Sequence, residues 1–234
     1  EQKSYWKAIT YAPRTDYNAF FCNELVYVMG VEKLLGLEVP RRGEWIRALF
    51  TELQRLHNHL IVLGTGSSGN ALLVEADGTR LLVEAGIGPK NASARMQSLG
   101  ADLFDAPVDG IVVTHHHQDH AAQLEPLCKA LGAPRAGASA APMLHLHDGV
   151  DAPRVRHRFA LRRYRASEAF EVGALRVRTL AVPHAAPHVA LAIESKTHAF
   201  GFVTDAGTVM HALVDFLGSC NTVMLESNFC PQLL

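Results

Sequence analysis

The hydrophobic positions fall into two textures that meet near Leu63–Gly69. From Asn18 to Leu37, "NAFFCNELVYVMGVEKLLGL" is apolar nearly all round, rich in helix formers and free of internal proline. Gly36 and then Pro40 supply a stop. The next stretch, "PRRGEWIRALFTELQRLHNHL", restarts with proline in the first turn. It sets Trp45 or Ile46, Leu49, Phe50, Leu53, Leu56 and Leu60 at helical spacing. The pattern predicts a helical hairpin over 1–60 with a wide apolar face. A segment of roughly sixty residues cannot bury such a face alone, so it demands a partner surface.

After Gly64 the period shortens. "NALLVEADGTRLLVEAG" reads as two strands around an Asp77-Gly78 turn, and "NASARMQSLGA" as a short helix closed by Gly100. "VDGIVVT" is a buried strand leading into a histidine cluster and the helix "AAQLEPLCKALG". "AFEVGALRVRTLAVPH" is a hairpin whose second strand alternates Leu175, Val177 and Thr179 with Arg176 and Arg178, so one face is dry and the other wet. Two more strands, "HAFGFVTDAG" and "NTVMLESN", flank a helix near Val209–Leu217. Strands alternating with helices predict an α/β domain over 61–234 with mixed pairing.

Composition adds exclusions. The 234 residues are 48% hydrophobic and 19% charged, an ordinary globular balance. A net charge of −1 favours neither nucleic acid nor an acidic membrane surface in bulk, and leaves room only for a local patch. Cys22, Cys128, Cys220 and Cys230 form no C-x-x-C pair, which argues against a thiolate zinc site and fits a reducing cytoplasm. No apolar run approaches a membrane span. The chain opens on Glu1 in patterned sequence and reads as a piece of something longer.

Nine of the 13 histidines fall in two windows, His115–His120 and His145–His188. "THHHQDH" follows a β-branched run and precedes a helix, so it occupies a loop at a strand's C-terminal end. His115 and His117, two apart in extended backbone, turn toward one metal, while Asp119 and His120 enter the helix and face a second. Imidazole plus carboxylate without thiolate suits zinc, with iron or manganese as alternatives. His116 is out of phase and points outward. His184 after one strand and Asp205 after another sit where converging ligands would be needed, and a carboxylate such as Asp205 bridges two cations. "HLHD", with His145 and His147, imitates half the motif without a following histidine. "GTGSSG" lacks the Lys-Ser/Thr of a phosphate loop and reads as a tight turn near the same edge.

These segments, "LGTGSSGNALLVE", "LLVEAG", "VVTHHHQDHAAQLEPL", "VPHAAPHVAL", "GFVTDAG" and "LESN", resemble the metallo-β-lactamase superfamily, in particular its YycJ-like hydrolase branch. The resemblance implies an αβ/βα sandwich. It assigns His115, His117 and His184 to a first metal, Asp119 and His120 to a second, and Asp205 to the bridge. It also implies a metal-activated hydroxide attacking an ester, phosphodiester or related bond, oriented by Asp119, on a small-molecule or nucleic-acid substrate. Three departures stand out: Glu84 replaces the family's aspartate beneath the histidine loop, Pro183-His184-Ala185-Ala186 replaces Pro-His-Asp-Ala, and the family's last glycine-histidine motif is absent. One tight metal and a weaker second are therefore expected.

Residues 1–66 resemble something unrelated, the large quinone-cavity, hydrogenase-like subunit of respiratory NADH:quinone oxidoreductase. The likeness is carried by "ITYAPRTDYNAFFCNELVYVMGVEKLLGLEVPRRGEWIRALFTELQRLHNHLIVLGTG". It implies a quinone-pocket tyrosine at Tyr11 and respiratory-complex subunits as partners. The alternatives to a hydrolase are thus a fragment of that respiratory subunit and an inert chimera of the two. Leu60–Leu63 must choose between ending a helix and starting a sheet; strand is expected, because pairing in a sheet buries more.

Overall fold

The computed structural model describes residues 9–14, 20–66, 68–132 and 141–226. A 3-10 turn, Ile9–Arg14, precedes two helices, α1 (Phe20–Leu35) and α2 (Arg41–His59). Gly36, at φ 64°, ends α1 in the left-handed region that a side chain disfavours. Glu32 and Arg47 form an ion pair between the two helices, and Phe21 packs on Phe50 with ring centroids 5.6 Å apart.

Without any intervening loop, α2 passes into β1 (Leu60–Gly64). The contested segment is strand: Leu60, Ile61 and Val62 pair antiparallel with Val74, Leu73 and Leu72 of β2 (Ala71–Ala76). Ile61 and Leu63 reach the core while Val62 stays exposed, as an edge strand requires. Asp77 and Gly78, both at positive φ, close the turn into β3 (Thr79–Val83).

The remaining elements are α3 (Pro89–Ser98), β4 (Gly110–Val113), α4 (Gln118–Ala121), α5 (Leu124–Leu131), β5 (Met143–His147) and β6 (Leu161–Tyr164). After these come β7 (Ala169–Val172), β8 (Leu175–Val182), β9 (His188–Glu194), β10 (Ala199–Val203), α6 (His211–Gly218) and β11 (Thr222–Leu225). One sheet has the order β1-β2-β3-β4-β5-β6, and the second β11-β10-β9-β8-β7. β3 to β6 run parallel, which places the loops that follow β4 and β5 on the same edge.

The period of two sorts side chains into layers. Leu72, Val74, Leu81, Val83 and Val112 face the second sheet, against Leu175, Val177, Val189, Leu191 and Phe202. Their neighbours Leu73, Leu82, Ile111 and Val113 face Met96 of α3 and Leu127 of α5. On the far side, Ala190 and Val203 meet Leu213 and Leu217 of α6. The result is helix, sheet, sheet, helix: the αβ/βα sandwich. β4 is buried on both faces and accordingly reads as a continuous apolar run, whereas β8 keeps Arg176 out and Val177 in. The helix expected over "AAQLEPLCKALG" is broken into α4 and α5, because Gln123 donates its backbone N–H to Ala85 and ties the chain to the loop after β3. The last two residues of "LESN" and all of 227–234 lie outside the described residues.

Candidate metal centre

Five chain segments converge at one edge of the sandwich. The loop after β4 carries His115 and His117, and α4 opens on Asp119 and His120. His184 follows β8, Asp205 follows β10, and Glu84 follows β3. Backbone bonds stitch these loops together: Ala85 N–H donates to His120 O (2.6 Å), Asn70 N–H to Asp119 O (2.6 Å), and Gly207 N–H to Pro183 O (2.8 Å). Gly86 has no room for a side chain, since a Cβ would lie 1.7 Å from Asp119 O and 2.6 Å from Asn70 N. Glu84 and Asp205 both sit at positive φ, 67° and 50°. That backbone strain is held only because the surrounding bonds over-determine the loops.

Two donor sets result, each with its atoms within 4.8 Å of one another: His115, His117 and His184, and then Glu84, His115 and His120. His184 Nε2 and His117 Nδ1 are 3.1 Å apart. Asp205 Oδ2 lies 2.9 Å from His120 Nε2 and 3.6 Å from His115 Nε2, and Asp119 Oδ2 is 3.4 Å from His120 Nε2. His115 Nε2 and Asp205 Oδ2 are buried without a hydrogen-bond partner. Buried polar atoms are normally satisfied, so this pair of orphans facing each other fits a cation between them. Borderline nitrogen and hard oxygen donors match zinc chemistry.

Electrostatics sorts the imidazoles. Burial, followed by the nearby His188, His120, His117 and His184 rings, pushes His115 down to about 2, so its lone pair is available. Burial works against charge on His120 too, but the carboxylates of Glu84, Asp119 and Asp205 outweigh it and raise its pKa. Glu84 is fully buried; it accepts from the Thr114 hydroxyl and lies 3.5 Å from His120 Nδ1. Thr114 Oγ1 is in turn 3.1 Å from His115 Nδ1. These contacts aim both Nε2 atoms at the centre.

His116 is exposed, as its phase suggested. His145 and His147 are buried strand residues of β5, stacked on Phe170 (centroids 4.8 Å) and set edge-on to Tyr164 (5.7 Å), and they join neither donor set. Tyr11 is 45% exposed in the N-terminal 3-10 turn.

Two contributors escaped the sequence reading. Asn70, the end of "GTGSSGN", places Nδ2 3.2 Å from Asp119 Oδ2 and 2.9 Å from His120 Nε2, so the turn delivers a side chain as well as a bend. His188 packs 4.3 Å from the His115 ring and donates from Nε2 to Thr204 O at 2.7 Å. It has no spacing signature; its role arises from β9 beginning beside the end of β10.

Residues 79–233 match the family described as the β-lactamase superfamily domain. The chain belongs to the β-lactamase superfamily. The fold agrees with that assignment. The metallo-β-lactamase fold protein YhfI from Bacillus subtilis is 19% identical, with TM-score 0.55 over 73% of this chain and 71% of that one. A diphosphatase of the PhnP family is 20% identical, with TM-score 0.54 over 70% and 71%. Zn(2+)-bound PqqB from Methylobacterium extorquens is 16% identical, with TM-score 0.53 over 75% and 64%. The N-terminal part matches elsewhere. One subunit of the NADH-quinone oxidoreductase of Deinococcus radiodurans is 53% identical over 66 residues, 28% of this chain and 16% of that protein. Its counterpart in Thermus thermophilus is 52% identical over 66 residues, again 16% of its length. The chain thus spans about a sixth of these curated relatives, and the superfamily domain follows a short respiratory-type segment. Among the described residues no helix is long and apolar enough to cross a membrane.

Proposed function

We propose that residues 61–234 form a metal-dependent hydrolase acting on an ester or phosphodiester-type bond. The observation that carries this is the meeting of His115, His117 and His184 with Asp205, two of whose inward atoms have no hydrogen-bond partner. In this reading the three histidines hold one ion, and Asp119, His120 and Asp205 hold a weaker second with Glu84 behind them. The ion supplies Lewis acidity and a lowered pKa of water when bound. Asp119, held by Asn70, is placed to accept a proton from an attacking water and to orient it. Zinc is the favoured metal, with iron or manganese as alternatives. The PhnP-family diphosphatase and Zn(2+)-bound PqqB support a phosphate-bearing substrate and zinc only as analogy.

The test is metal content per folded molecule, compared with a His115→Ala/His117→Ala variant. About one tightly held zinc, lost in the variant, is expected. A folded sample that takes up no divalent metal would sink the proposal. For residues 1–60 the 53% identity to the Deinococcus respiratory protein favours a second origin, with respiratory-complex subunits as partners; Tyr11, 45% exposed, reads there as an ordinary surface tyrosine ahead of a quinone contact. Failure of the hairpin to associate with the other components of that complex in a pull-down would count against it.

A further inference from the structure

From the end of β5, through β6, to the start of β7 the chain reads "DGVDAPRVRHRFALRRYRASE", Asp148–Glu168. Six arginines and three acids leave this stretch at +3 in a chain of net −1. All three acids, Asp148, Asp151 and Glu168, lie at its ends, so residues 152–166 carry only positive charge. Every one of Arg154, Arg156, Arg158, Arg162, Arg163 and Arg165 is exposed. Arg163 anchors the crossover by donating to the carbonyls of His147 and Val150, and Arg165 pairs with Asp148 at 2.7 Å.

Arg154, Arg156 and Arg158 differ from those two. Their segment makes helical turns (Arg156 N–H to Ala152 O at 3.3 Å, Arg158 N–H to Val155 O at 3.0 Å) that bury Val155 and turn the arginines outward. Arg154 is 84% exposed, and its nearest carboxylate, Glu125 at 3.9 Å, is already held at 2.7 Å by Lys129. Arg156 Nε lies 3.0 Å from His157 Nε2. Three long cations share one nearby carboxylate, Glu125, so their charge stays in excess, and an incoming polyanion would neutralise that excess.

Position ties this cluster to the candidate centre. The crossover starts where β5 ends, on the same edge as the loops after β3 and β4. Its first turn touches the His184 loop: a Cβ on Gly149 would lie 3.2 Å from Pro187 Cβ. Further along, residues 150–155 form a groove of about 280 Å³ with Ala121–Pro126, which begins one residue after His120.

We propose that the Arg154–Arg158 turn is a docking surface for a single-stranded nucleic acid, holding its phosphodiester backbone on a path that leads to the metal edge. This rests on the hydrolase reading and names its substrate class. A cationic turn of only five residues is short for the two backbones of a duplex and suffices for one. With no exposed phenylalanine, tyrosine or tryptophan in the turn to stack on bases, recognition is electrostatic and indifferent to sequence.

The experiment is fluorescence anisotropy with a labelled single-stranded RNA of about 20 nucleotides, using the full chain. In parallel, the same chain is assayed with divalent zinc on bis(4-nitrophenyl) phosphate. Expected are binding that weakens about tenfold or more between 50 and 200 mM salt, and a further loss of about tenfold in an Arg154→Gln/Arg156→Gln/Arg158→Gln variant whose melting temperature is unchanged. No binding, equal binding by the variant, or binding to phosphatidylserine vesicles in place of RNA would overturn the docking surface. Hydrolysis of the small ester without RNA binding removes only the docking surface. RNA binding without any ester hydrolysis removes the hydrolase reading and leaves the surface standing.

Discussion

At the scale of single residues, the centre depends on groups that are not themselves donors. Gly86 is the clearest case. Its missing side chain lets the loop after β3 lie directly on the backbone of Asp119 and Asn70. Gly86→Ala forces those segments apart, and overpacking of this kind typically costs about 1–3 kcal/mol. The expected outcome is loss of metal binding in calorimetric titration while circular dichroism still reports the fold. Retained stoichiometry and affinity would show that the close approach does not matter. His145 gives a second, separate prediction. Burial, followed by the nearby Arg162, pushes its pKa down to about 4 from an ordinary 6.5. Between those values the unfolded chain binds the proton and the folded chain does not. Stability is therefore fully present above pH 6.5 and falls as pH drops toward 4. For so buried a ring the effect is up to about 3 kcal/mol. In His145→Leu the difference in denaturant stability between pH 7 and pH 4 should shrink by up to that amount; an unchanged difference would mean that His145 takes no part in acid unfolding.

At the scale of elements, strand ends do the placing. Each candidate donor lies at or just past the C-terminal end of a strand, and the register of those strands decides which donors meet. β6 shows how the register is held. Tyr164, its last residue, is fully buried between the sheets, and its hydroxyl donates to Val113 O at 2.9 Å, the carbonyl just before Thr114. Burial raises the phenol pKa far above its usual value, so it stays a donor at any ordinary pH. Removing the hydroxyl in Tyr164→Phe should cost about 1 kcal/mol, read as a shift in denaturation midpoint. Metal affinity should fall with it, because that carbonyl adjoins the histidine loop. A neutral substitution would mean the bond is not held in solution.

At the scale of the whole molecule, two parts with different needs share one chain. The sandwich buries its central strands β4 and β9 on both faces, whereas the hairpin leaves Trp45 67% and Leu49 58% exposed, with Ile46 and Leu53 beside them. Contiguous apolar surface of this kind promotes association. Size-exclusion chromatography of Trp45→Glu/Leu49→Glu should show less self-association than the unaltered chain, with metal content unaffected. A monodisperse monomer without the substitutions would argue that the face is covered within the chain.

What could be read from the residues alone were the local signals. The 3.6-residue stripe gave α2, the Asp77-Gly78 turn gave the β2–β3 hairpin, and alternation gave β8. The strand-to-helix setting of "THHHQDH" marked four donors close together in sequence, because a loop of six residues leaves them no choice but to be neighbours. His184 and Asp205 were legible through likeness to a family, since their pairing with that loop spans tens of residues. Only the tertiary structure decided what depends on packing between distant segments. Leu60–Gly64 is strand because β2 was there to pair with it, not because its own composition excluded helix. Asn70 joined the centre, and His188 came against His115, because the two sheets bring the start of β9 and the end of β10 onto the edge where the loop before β2 lies. Local pattern determines elements, whereas the meeting of side chains far apart in sequence is set by the sheets that bury them.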